Sequence, residues 1–390
     1  MVLAGFIVLG ITVERRKRSL FRSALAIAGY VILIAVLLYG SEWILMNSLL
    51  AQADARTLGL YRHALGEGQE EVGTGTSAAY RPHHYLNFVL NPDAAYLGQK
   101  QFNAEYLIRR TEEIRSRPSV KWRALVLGGS TTFGEGLPAE SDTWPYQLEQ
   151  RLRARYGAEF DVINGGVGNY NVVENMLHYL LLLESLEPDV VILYVGINDV
   201  HPRLFDDIKP DYSNSRLAWR SDVNVLPHVN PALLMVPFYH WYIFQEVAKG
   251  EFAHLNTYVQ RPYPPVSTWR SALARNGTSV YKQHLTDFVQ LLQAQGRTVI
   301  VVPQVFIPRT DQDFETVFAE GVAQHEAINK DVARRLGAVY LEAVSGTGMF
   351  DKDDLVDNCH FNDRGGRHMA DLLFAELQDA RVFSTFKDIR

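Results

Sequence analysis

The sequence predicts an α/β domain, a three-layer α/β/α sandwich around a parallel sheet, preceded by one N-terminal transmembrane helix. Three observations carry this reading. From Arg123 onward, short apolar runs alternate with longer segments whose apolar residues recur at helical spacing, the pattern of parallel strands joined by helical crossovers. Several of those apolar runs stop abruptly at glycine- and asparagine-rich turns, at the edge where α/β sheets hold their ligands. Near the amino terminus, Ser23 to Ser41 contains no charged residue and is about as long as a hydrocarbon core is thick.

The N-terminal element comes first. Arg15, Arg16, Lys17, Arg18 and Arg22 precede the apolar run, and Glu42 and Trp43 follow it. The basic flank is therefore expected to stay cytoplasmic and the remainder to be exported. Ala51-Gln52-Ala53 resembles a processing site but lies too far beyond the apolar run for an ordinary signal sequence, so the reading is an uncleaved anchor. The expected organisation is a basic N-terminus over 1–22, an anchor over 23–46, a polar linker over 47–79 and a compact domain over 80–390. Beyond Arg22 the chain holds 33 basic against 43 acidic residues, a net charge of about −10. That balance argues against a nucleic-acid partner.

Within the domain, segment 80–122 contains Y-L-N-F-V-L-N-P and Y-L-I-R-R, short pieces expected to fold over its start. The adjacent His83 and His84 must point in different directions and read as surface or loop residues. Strands are expected over 123–128, 160–164, 189–195, 298–303 and 338–342. Helices are expected over 144–156, 171–186, 281–294, 314–336 and 364–377. A proline-punctuated insertion over about 200–279, with V-P-F-Y-H-W-Y-I-F-Q-E-V at 236–247, interrupts the alternation. Its aromatics either pack a small subdomain, cover the site as a lid, or meet a membrane interface.

With 390 residues, 47% of them hydrophobic and 21% charged, the chain has ample material for one large core. Its single cysteine, Cys359, excludes an intramolecular disulfide framework and a cysteine-cluster zinc site.

Four segments are expected at one sheet edge: Gly128-Gly129-Ser130, N-G-G-V-G-N-Y-N from Asn164, V-G-I-N-D from Val195, and D-N-C-H-F-N-D from Asp357. Glycines before Ser130 let the backbone turn sharply and present the hydroxyl. A serine hydroxyl is a weak nucleophile, so a histidine must take its proton and a carboxylate must hold that imidazole in the right tautomer. Asp357 and His360, three residues apart in one turn, meet the second requirement. Charge developing on a carbonyl oxygen needs fixed donors, which an asparagine amide and backbone N–H groups of a glycine-rich loop supply.

These motifs, in this order, resemble the SGNH (GDSL-type) hydrolase superfamily over about Arg123 to Leu377, with Tyr85 to Pro92 resembling the lead-in of bacterial members. The resemblance implies a flavodoxin-like fold with a five-stranded parallel sheet and no metal or organic cofactor. By motif, Ser130 matches the nucleophile, Asn198 the oxyanion asparagine, and Asp357 and His360 the D-x-x-H pair. Two departures stand out. Gly129 replaces the aspartate of the common G-D-S, and Asn169 falls where the commoner N-A-G-V-S-G pattern has its donor glycine. Gly168 and Asn169 are therefore both candidates for the second-loop amide, beside the Ser130 N–H and the Asn198 side chain.

The function expected on this basis is an extracytoplasmic serine esterase acting on O-acyl, in particular O-acetyl, esters of an envelope glycan or on a lipid-derived ester. Two alternatives share the fold: an O-acyltransferase to a surface polysaccharide, and a non-catalytic glycan-binding module.

Overall fold

The computed structural model describes residues 2–53, 79–83, 85–216, 236–249, 264–345 and 348–379, with Leu58, Tyr61 and Leu65. The chain divides into two compact units, Met1–Gly73 with Leu226–Val259, and Thr74–Val225 with Gln260–Arg390.

The second unit opens with two small antiparallel pairs, β1 (Tyr80–His83) with β2 (Asn87–Leu90) and β3 (Phe102–Asn103) with β4 (Ile108–Arg109). His83 Nδ1 accepts the backbone N–H of Leu86 at the turn between β1 and β2, and His84 lies outside the described residues. Five parallel strands follow: β5 (Trp122–Gly128), β6 (Phe160–Asn164), β7 (Val190–Tyr194), β8 (Thr298–Val301) and β9 (Val339–Tyr340). Their order across the sheet is β6-β5-β7-β8-β9. β5 to β8 stand within two residues of the expected ranges. The last strand is shorter, pairing only through Ile300 with Val339 and Val301 with Tyr340.

Alternation along the strands builds a core on each face, because successive side chains in a strand point to opposite sides. Ala124, Val126, Val162, Ile192, Tyr194 and Ile300 face one way. They pack against Trp144, Leu148 and Leu152 of the Trp144–Tyr156 helix, and Met369, Leu373 and Leu377 of the Asp363–Asp379 helix. Leu125, Leu127, Ile163, Val191, Leu193 and Val301 face the other way, against the Ser279–Ala294 and Asp313–Leu336 helices. The result is the three-layer α/β/α sandwich. A third cluster joins β1 and β2 to the sheet edge through Leu86, Phe88, Phe133, Val167 and Tyr170.

In the first unit a single helix spans Val2–Gln52. It is longer than the 23–46 segment expected as an anchor and runs into the start of the 47–79 stretch. No proline interrupts Val2–Gln52, and the basic turn is made of residues with good helix propensity, so the helix continues through it. Phe21–Gln52 is long and apolar enough to cross a membrane. Part of the insertion, Tyr239–Lys249, is helical and packs on the carboxyl end of that long helix. Met46, Tyr61, Ile243 and Phe244 are buried together there. The His240 N–H donates to Glu42 Oε1 at 3.1 Å, and Tyr61 hydrogen-bonds His240 Nδ1 at 3.0 Å. These aromatics form a small subdomain with the N-terminal helix. Residues 217–235 and 250–263 of the insertion lie outside the described residues.

Candidate active site

β5 ends at Gly128, and Ser130 opens a one-turn helix, Ser130–Phe133. Sterics account for both glycines. A Cβ on Gly128 would overlap Thr132 Oγ1, and one on Gly129 would overlap Asn198 Nδ2. Gly129 has φ −92°, which any residue can adopt, so what this position needs is the missing side chain. The Ser130 N–H belongs to the first turn of a helix, where backbone donors have no intrahelical acceptor.

Asp357 and His360 occupy a closed turn before the last helix. Val356 N–H donates to the His360 carbonyl at 2.8 Å, and Leu355 bridges to Phe361. Asp357 Oδ1 accepts the backbone N–H groups of Cys359 and His360, both at 2.9 Å, and Oδ2 lies 2.6 Å from His360 Nδ1. His360 Nε2 is 2.8 Å from Ser130 Oγ. Consistent roles along this chain are Nδ1–H donating to Asp357 and Nε2 accepting from the serine. Burial opposes charge on both members, but their mutual hydrogen bond and attraction prevail: Asp357 is held well below the usual carboxylate range and His360 is made more basic. Arg309, from the loop after β8, steadies the turn by donating to the carbonyls of Asp357 (3.0 Å) and Leu355 (2.8 Å).

The loops after β6 and β7 complete the edge. Asn164 donates from Nδ2 to the Thr132 carbonyl at 3.0 Å and accepts the Gly166 N–H at 3.0 Å, tying its loop to the serine helix. Asn198 Nδ2 donates to the Tyr170 carbonyl at 3.0 Å, which fixes the amide plane beside Gly129. Asn169 has φ +65°, the left-handed conformation that glycine favours and asparagine tolerates better than most residues. Gly168 is buried instead against the Tyr80 hydroxyl, which its backbone N–H meets.

The structure thus brings Ser130, Asn169, Asn198, Asp357 and His360 to one edge, each only partly buried or exposed, with Gly168 buried behind Asn169. It also shows four supporting residues that sequence reasoning passed over. Asp199 is fully buried, accepts the Val172 N–H at 3.2 Å, and is pushed up to about 7 by burial. Arg109 lies between the Tyr96 and Phe133 rings and donates to the carbonyls of Phe133 (3.0 Å), Gly134 (2.7 Å) and Leu137 (2.6 Å), closing the turn after the serine helix. Glu135, raised by burial, accepts the Tyr96 hydroxyl at 3.3 Å. Tyr80 stands behind Gly168. Of these four only Arg109 falls within Y-L-I-R-R, one of the pieces that the sequence places over the start of the domain.

The sequence model of the GDSL-like lipase/acylhydrolase family matches residues 126–368, more than half of the chain. The chain belongs to this family. As a GDSL-type acylhydrolase it is a serine hydrolase acting on ester bonds. Among solved structures it is similar to LAE5, an alpha/beta hydrolase enzyme from the metagenome of Lake Arreo, Spain, at 17% identity and a TM-score of 0.40, covering 67% of this chain and 96% of that one. It is also similar to a catalytic mutant of Axe2, an acetylxylan esterase from Geobacillus stearothermophilus, at 14% identity and a TM-score of 0.40, covering 66% and 95%. TesA shows 16% identity and a TM-score of 0.37, covering 66% and 98%. A search of curated proteins found no match.

Proposed function

We propose that this GDSL-type hydrolase is held at a membrane by its N-terminal helix and removes O-acyl groups, acetyl above all, from an envelope glycan or a lipid-derived ester on the outer side. One observation carries the chemistry: the unbroken hydrogen-bond chain from Asp357 through His360 to Ser130 at the carboxyl edge of the sheet. His360 Nε2 takes the Ser130 proton as Oγ attacks the ester carbonyl, and Asp357 keeps the opposite ring proton on Nδ1 and stabilises the imidazolium. The developing oxyanion is held by the Asn198 amide, the Ser130 N–H and the Asn169 N–H. His360 then protonates the leaving alkoxide, and water, activated by the same imidazole, releases the acid from the acyl-serine.

Support for the location is the apolar Phe21–Gln52 segment behind a basic flank. The acidic balance of the chain beyond Arg22 disfavours a polyanionic substrate. The test has two arms. A fluorophosphonate should label the wild-type chain at Ser130, not Ser130→Ala, and only weakly His360→Ala; an unlabelled wild type would refute the nucleophile. Incubation with O-acetylated glycans should then release free acetate, whereas transfer of acetyl to an added glycan in place of free acid would refute hydrolysis.

A further inference from the structure

Cys359 is the only cysteine of the chain, and the relay described above makes no use of its thiol. It nevertheless stands beside the catalytic imidazole. Its Sγ lies 3.8 Å from His360 Nδ1, the nitrogen that Asp357 Oδ2 engages at 2.6 Å. One ligand atom each from Asp357, Cys359 and His360 falls within 4.8 Å of the other two. The thiol is partly buried, packed against the apolar cluster that holds Ile197 and Val200, while the Asp357 side chain is 51% exposed.

We propose that Asp357, Cys359 and His360 form an inhibitory site for a thiophilic divalent cation such as Zn²⁺, whose occupancy excludes the catalytic relay. The donor set is one thiolate, one imidazole and one carboxylate, the combination that zinc takes in tetrahedral sites. With Zn–S of ~2.3 Å and Zn–N of ~2.0–2.1 Å, a tetrahedral ion separates sulfur and nitrogen by about 3.5 Å. The observed 3.8 Å between Sγ and Nδ1 therefore needs almost no adjustment. Nδ1 and Oδ2 must open from 2.6 Å to about 3.4 Å, which the half-exposed Asp357 carboxylate can accommodate by turning outward. Water or a substrate oxygen fills the fourth position.

Inhibition follows from the proton balance. The cation takes the Nδ1 lone pair, so the proton that Nδ1 carried moves to Nε2. The Cys359 thiol gives its own proton to solvent as the sulfur coordinates. Nε2, now an N–H donor, no longer accepts the Ser130 proton, and Asp357 is drawn onto the metal. Hard cations such as Mg²⁺ prefer an octahedron of oxygen ligands, and of the three side chains here only the Asp357 carboxylate offers oxygen. The site regulates the reaction and supplies nothing to it.

The experiment uses the full chain in detergent micelles. The inhibition arm rests on the hydrolase reading proposed above, and the spectroscopic arm does not. Micromolar Zn²⁺ should abolish hydrolysis of a chromogenic acetyl ester, a chelator should restore it, and Mg²⁺ should leave it unchanged. Cys359→Ala and the isosteric Cys359→Ser should keep the zinc-free activity. Outer-sphere partners alone change metal affinity by about 10–100-fold, so loss of the thiolate should raise the zinc needed for half-inhibition by ~100-fold. Co²⁺, as a spectroscopic substitute, should give a thiolate-to-metal charge-transfer absorption in the wild type, assignable to Cys359 because there is no other cysteine, and none in either variant. Equal zinc sensitivity in wild type and both variants, or no thiolate–cobalt absorption in the wild type, would overturn the proposal. An inactive wild type that still shows the cobalt absorption would support the site while refuting the hydrolase reading.

Discussion

Asp357 holds His360 through Oδ2 and its own turn through Oδ1, so one carboxylate both orients the base and raises its basicity. The direction of that shift sets a pH dependence. His360 must be unprotonated to accept the serine proton, so activity is lost as pH falls through its raised pKa, and the acid limb should lie above the ordinary imidazole value of about 6.5. Asp357→Asn removes the charge that favours the imidazolium. Its acid limb should move to lower pH while kcat falls by about 10⁴-fold, since the imidazole also loses its tautomer; pH–rate profiles of the two proteins measure both effects. A second residue-scale expectation concerns Asn169, whose left-handed backbone aims the proposed oxyanion donor. Asn169→Gly should retain most activity. Asn169→Val should lose it, because a β-branched side chain makes that conformation cost roughly 1–2 kcal/mol or more; the comparison is read in kcat with KM held in view.

At the scale of the element, the serine turn and the loop after β7 are built around one shared space. Asn198 Nδ2 sits where a Gly129 Cβ would be. In this chain the glycine leaves that space to the asparagine amide. Gly129→Ala should therefore displace the Asn198 amide, which is the end of a side chain and moves cheaply, and leave the fold intact. The expected outcome is a kcat decrease approaching the 10²–10³-fold that loss of an oxyanion donor produces, with a melting temperature close to that of the wild type. Thermal unfolding and steady-state kinetics on the same preparation separate the two. The Asp357–His360 turn is likewise held from outside itself, by Arg309 donating to its carbonyls, by the Ile307 N–H donating to the Asn358 carbonyl, and by the Asn358 side-chain amide donating to the Ile307 carbonyl.

Across the whole molecule, chemistry and stability sit at opposite ends of the sheet. Ser130, Asn198 and His360 gather where β5 and β7 end. At the strand starts, Asp161 and its register partner Arg123 meet at 3.0 Å, with Arg110 at 3.3 Å and Arg115 at 3.4 Å from the same carboxylate. Burial works against the Asp161 charge, but Arg110 and Arg123 outweigh it and hold its pKa below the usual value. A depressed carboxylate stabilises the fold above its unfolded pKa and loses that contribution as pH falls through the folded one, so the support from Asp161 is withdrawn only in acid. Asp161→Ala leaves buried guanidinium groups unpaired and should cost ~3–5 kcal/mol by urea unfolding. Activity per folded molecule should be unchanged, because the site lies at the other edge.

The sequence by itself determined the five-strand alternation, the glycine turn before Ser130, the Asn198 motif and the Asp357–His360 pair. Each depends on neighbours in the chain: side-chain periodicity decides which residues face a core, and three residues of one turn are enough to join a carboxylate to an imidazole. Tertiary structure alone decided that His360 reaches a serine 230 residues away, that Asn198 fills the space above Gly129, and that Tyr80, Glu135 and Arg109 support the site from behind. It likewise decided that the aromatic helix of the insertion packs on the N-terminal helix. Those outcomes depend on which surfaces meet once two helical layers close on a sheet, and the local preferences of a chain carry no record of contacts between segments so far apart.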